Sequence, residues 1–70
     1  MFIDNNCMYI ARDKSGLLFC YKDKPIKLDK IGIFSQGNNN NPMIGINNDD
    51  FKDITWENSP QMVKFVISND

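Results

Sequence analysis

Met8-Tyr9-Ile10-Ala11-Arg12-Asp13-Lys14-Ser15-Gly16-Leu17-Leu18-Phe19-Cys20-Tyr21 consists of two runs of strand-forming residues flanking Asp-Lys-Ser-Gly. That tetrapeptide is hairpin chemistry. A type I turn over Lys14 and Ser15, with Gly16 supplying a left-handed residue, closes a three-residue loop with a bulge. The turn sets Asp13 against Leu17, Ala11 against Phe19 and Tyr9 against Tyr21. Side chains alternate across a sheet. Met8, Ile10, Leu18 and Cys20 therefore share an aliphatic face suited to a core. Tyr9, Ala11, Phe19 and Tyr21 share an aromatic one, expected to be partly wet.

Outward from the hairpin, Pro25 marks a strand end, since it has no N–H for a ladder. Ile26-Lys27-Leu28-Asp29-Lys30 alternates apolar with charged residues, as a lysine-guarded edge does. Ile31 to Phe34 reads as a strand with Ile31 and Ile33 inward. Gln36 to Pro42, with four consecutive asparagines, is a loop, because Asn and Gly accept positive φ and Pro42 pushes Asn41 out of helical space. The asparagine tract fits an ordinary connection better than a recognition loop.

Met43 to Ile46 is a further strand with Ile44 and Ile46 inward. A short helical turn fits near Asp49 to Phe51, where Asn48 or Asp49 provides a cap. A last strand covers Met62 to Ile67, with Val63, Phe65 and Ile67 on one face. The expected core is Ile10, Leu18, Cys20, Ile33, Ile44, Val63 and Phe65. The pattern is all-β: a small five-stranded antiparallel SH3-like barrel or curled sheet, with one helical turn before the last strand. Residues 1–70 form one domain, residues 1–7 a loose extension and residues 68–70 a frayed end.

Seventy residues bury only about 60% of their unfolded surface, so such a domain needs an efficient core, a staple or a partner subunit to be comfortably stable. The hydrophobic fraction of 41% argues for a folded chain. A net charge of −1 gives no general attraction to nucleic acid. No apolar run reaches the roughly 20 residues that span a bilayer, and the N-terminus has no basic start or apolar signal core. A cytoplasmic location follows by default. In the hairpin register Cys7 and Cys20 lie on opposite faces, so both are expected as free thiols.

The chain has no histidine, hence neither the commonest general base nor the commonest metal ligand. Two cysteines without a CxxC spacing make no zinc site. Asp49, Asp50 and Asp53 do not match a calcium loop. No enzyme activity and no cofactor are expected. The candidate binding residues are Tyr9, Phe19 and Tyr21 on the aromatic face, Arg12 and Lys22 flanking them, and Trp56. Large aromatics and arginine are the residues that most often anchor interfaces.

The blocks Met8-Tyr9-Ile10-Ala11-Arg12-Asp13, Gly16, Lys24-Pro25 and Ile54-Thr55-Trp56-Glu57-Asn58-Ser59-Pro60 together resemble a group of small uncharacterised proteins of phages and prophages of gut bacteria. The resemblance spans the chain from Met8 and is loosest between Ile26 and Asp53. It implies a context rather than a chemistry: a small accessory protein acting on a host factor, such as an anti-defence inhibitor. Two other roles fit the same context. One is an oligomeric sponge for a small anionic, nucleotide-like ligand; the other is a minor virion or assembly component. The expected partners are a host protein or a second copy of the chain.

Overall fold

The computed structural model describes residues 7–63. It contains six strands and, among the described residues, no helix. They are β1 (Tyr9–Arg12), β2 (Leu18–Tyr21), β3 (Ile26–Leu28), β4 (Ile33–Ser35), β5 (Met43–Ile46) and β6 (Gln61–Met62). A four-stranded antiparallel sheet has the order β5-β2-β1-β6, and β3 and β4 form a separate two-stranded sheet. The all-β reading holds. The strands form two open sheets rather than a closed barrel.

The first hairpin has the expected register, with Tyr9 opposite Tyr21 and Ala11 opposite Phe19. Its turn is made as its residues dictate. The Gly16 amide donates to Asp13 O at 2.9 Å, the Asp13 amide donates to Leu17 O at 2.8 Å, and Gly16 takes a φ of +102°. A left-handed residue with no Cβ is what this turn needs.

Both faces of the central sheet are buried. On one, Ile10 and Leu18 pack with Ile54, and Ile46, Phe51 and Val63 close the edges. On the other, Ala11 and Tyr21 pack with Phe34, flanked by Tyr9, Phe19 and Trp56. The aromatic face is thus covered by β4 at Ala11 and Tyr21, while Tyr9 and Phe19 stay half-buried, so the face is partly wet at its rim.

This covering sheet corrects the expected facing of the third strand. Phe34 is buried, while Ile31 and Ile33 are 65% and 40% exposed. A one-residue change of phase turns every side chain of a strand to its other face. Here the larger ring takes the inward place. The phase is pinned by Asp13, whose Oδ1 accepts the Phe34 amide at 3.1 Å. Ile44, also expected in the core, is 38% exposed, and Val63 is half-buried. Phe65 and Ile67 lie outside the described residues, as do residues 1–6 and 68–70.

The helical turn is replaced by an Asx turn. Asn47 Oδ1 accepts the Asp49 amide at 2.9 Å, Asn47 O accepts the Asp50 amide at 3.0 Å, and Phe51 adopts a φ of +52°. Asparagine side chains compete with the helix for local amides in this way.

The cysteines also depart from expectation. Cys7 and Cys20 form a disulfide with Cα atoms 5.3 Å apart. Alternation constrains only residues within a strand, and Cys7 precedes β1. Met8 still joins the ladder, donating to Tyr21 O and accepting from the Val63 amide. Cys7 is therefore free to turn under the sheet onto Cys20, and both are buried. A cross-link closing a loop of this length contributes about 3 kcal/mol. It supplies a staple for a small domain.

Candidate functional site

The residues expected to bind a partner divide between the two faces. Tyr9, Phe19, Tyr21 and Trp56 come together around the Ala11–Tyr21–Phe34 cluster. Tyr21 is only 1% exposed and lies beneath the covering sheet, out of reach of a partner. Burial, with the Asp13 charge adding to it, pushes the Tyr21 phenol up to about 12. Asp13 is itself buried, and desolvation raises its carboxyl while the Phe34 amide bond opposes that shift.

Tyr9, Phe19 and Trp56 are half-buried and form the rim of the cluster. The Trp56 and Phe34 rings meet edge-on, with centroids 5.3 Å apart and planes at 64°. Lys27 closes this corner. Its Nζ sits 4.4 Å from the Trp56 ring centroid and donates to Trp56 O at 2.7 Å. It also lies 5.9 Å from the Phe34 centroid. The alternation of β3 showed Lys27 as an edge guard, and nothing local in the sequence marked it as the cation that holds Trp56 in place.

Arg12 is not part of this rim. It lies on the Ile10 side of the sheet, and its guanidinium is spent on backbone carbonyls. Nε donates to Ile54 O at 2.6 Å, and Nη1 to Gly16 O at 2.7 Å and Asn48 O at 3.0 Å. Nη2 donates to Asp50 O at 3.0 Å and Phe51 O at 3.2 Å. A guanidinium has five N–H groups in a planar fork, so this set of carbonyls uses its donors. Arg12 anchors the Asn48–Ile54 segment to the hairpin. Lys22 is exposed and lies just beyond the end of β2.

Asn41 is a second internal anchor that composition concealed. It is 0% exposed, its Nδ2 donates to Asp23 O and Gln36 O, and its Oδ1 accepts the Asp23 amide at 2.8 Å. One asparagine of the tract thus ties the loop to the end of the first hairpin.

An open depression of about 420 Å³ lies between the two hairpin tips, lined by Lys14, Ser15, Asp29, Lys30, Ile31, Gly32 and Ile33. A shallower one of about 190 Å³ follows the Ser35–Asn39 backbone. Among the described residues, no group of His, Cys, Asp and Glu is placed to hold a metal ion, and no helix is long and apolar enough to cross a membrane. No protein-family model, curated protein or solved structure matches the chain.

Proposed function

We propose that this protein is a small binding module that docks a partner protein on the aromatic rim of its covered face, through Tyr9, Phe19 and Trp56. The observation that carries the proposal is the state of these three rings: half-buried, backed by a packed cluster, and in the case of Trp56 held by Lys27. Aromatic side chains on a rigid support give contact area with little entropy left to lose, the usual character of an interface anchor. The resemblance to phage-encoded accessory proteins supplies the class of partner, a host factor, and masking a defence enzyme is one form this takes. A minor virion role would use the same rim.

The sponge reading uses Arg12, Lys22 or Lys24 to meet a phosphate. Arg12 has its donors committed to five carbonyls, which leaves that reading only the exposed Lys22 and Lys24. This favours a protein over an anionic ligand. A cytoplasmic location belongs to the same proposal. Disulfides are rare there, and the bond between Cys7 and Cys20, each at most 2% exposed, is shielded from reductants.

The test is co-purification from host cells with the parent chain and with a Tyr9→Ala, Phe19→Ala double variant, after circular dichroism confirms that the variant folds. Loss of the captured partner is expected, and the parent complex should survive high salt because the contact is largely apolar. A folded double variant that retains the partner would sink the assignment.

A further inference from the structure

The outer edge of the four-stranded sheet carries a separate feature. Strand β5 lies at the end of the order β5-β2-β1-β6, and among the described residues no strand lies on its other side. Met43, Ile44 and Gly45 are all exposed. The Lys22 amide donates to Pro42 O, so by the two-residue alternation of an antiparallel ladder Ile44 and Ile46 also face β2. The N–H and C=O groups of Met43 and Gly45 consequently point outward. Proteins ordinarily guard such an edge with lysine, an inward charge or a proline. Here no charged residue occurs between Lys30 and Asp49. Pro42 sits where its missing N–H would have faced β2, so it leaves the outer edge intact.

Gly45 provides an independent observation. Gly16, Gly32 and Gly37 all have positive φ, and a Cβ at Gly32 would also crowd the Lys14 side chain at 3.0 Å. Gly45 has neither constraint, since a Cβ there would meet only Phe19 Cε1 at 3.9 Å, an ordinary contact. A glycine inside a strand weakens it and often marks the close approach of another backbone. Among the described residues, no contact or backbone angle requires this one.

We propose that β5 pairs antiparallel with β5 of a second copy, about a twofold axis through Ile44. In this register Met43 of one protomer faces Gly45 of its partner, and the two outward residues exchange N–H···O bonds on each side of the axis. Ile44 packs on the partner's Ile44 in the non-hydrogen-bonded position, where side chains come closest. Gly45 leaves space for the opposing Met43 side chain. The pairing stops at Asn41, whose amide and carbonyl are already bonded to Asn38 and Gln36. An uncharged edge can meet its own copy without repulsion, whereas a partner of strong charge would gain nothing from it.

The test combines sedimentation equilibrium with amide hydrogen exchange. The parent chain should have twice its sequence mass, and its Met43 and Gly45 amides should be protected, with protection falling as dilution yields monomer. Ile44→Lys and Ile44→Glu place like charges across the axis, so each alone should be monomeric and an equimolar mixture should restore the dimer. A parent that is monomeric at millimolar concentration overturns the proposal. So does a dimer that persists in both charged variants, or protection of Met43 and Gly45 in a monomeric species. Should the variants fail to fold, the exchange of these two amides in the parent still decides. Neither result bears on the aromatic rim, whose partner is tested by different substitutions.

Discussion

The Ala11 face of the central sheet is closed by a second sheet, the Ile10 face by a segment without regular structure, and the two closures rest on different physics. Phe34 descends from β4 onto Ala11 and Tyr21, and apolar contact carries that side. On the other, Ile54 and Phe51 approach Ile10 and Leu18 because Arg12 gathers the carbonyls of the chain that bears them. A short chain can thus bury both faces of one sheet. One face is covered by packing a ring, the other by using a cation as an internal template for irregular backbone.

The largest effect should come from the packed side. Phe34→Ala removes the central ring of the cluster and should cost about 3–5 kcal/mol, most of the stability of so small a domain. Thermal or urea unfolding monitored by circular dichroism measures it. A variant as stable as the parent would mean that β4 does not seal this face.

The templated side should respond to geometry as well as charge. Arg12→Lys keeps the positive charge but offers three donors from a point instead of five in a plane. The expected loss is about 2–3 kcal/mol, from carbonyls left without a charged donor. Fast amide exchange should follow at Ile54, whose N–H donates to Phe51 O within the same segment. If lysine restores both stability and protection, charge alone holds the segment and the fork is irrelevant.

These two sides also differ in how far the sequence disclosed them. The hairpin, its register and the composition of its faces were legible because Asp13 to Gly16 fixes a turn locally and the turn then fixes which residues face each other. The phase of β4 was not legible. Ile31, Ile33 and Phe34 are all apolar, so alternation admits either facing, and only the distant Asp13 acceptor selects Phe34. Arg12 read as a surface cation for the same reason, since its five carbonyls converge only after folding. The disulfide is not legible from strand alternation, because Cys7 lies before β1 and alternation does not set its facing. Of the candidate site, the grouping of Tyr9, Phe19 and Tyr21 on one face was legible. The burial of Tyr21 and the Lys27–Trp56 contact were not, because they depend on the covering sheet.

A smaller, pH-dependent effect distinguishes the faces further. The Tyr21 phenol ionises at about 12 in the native protein against a reference of 10.0. Between these values the unfolded chain has released the proton that the native protein still holds. Stability therefore falls as pH rises through that window, by about 1.4 kcal/mol per unit. Tyr21→Phe should abolish this dependence and remove the late step from the phenolate absorbance titration. A Tyr21 that titrates near 10 would indicate that solvent reaches the aromatic layer.

Burial of the sheet on both faces at once is tested most directly by nuclear Overhauser contacts in the folded protein. The account predicts cross-peaks from the Ala11 methyl to the Phe34 ring and from Ile10 to Ile54, present together in one species. Ala11 contacts confined to its strand neighbours, with the Ile10–Ile54 peak retained, would show a sheet covered on one side only and would contradict it.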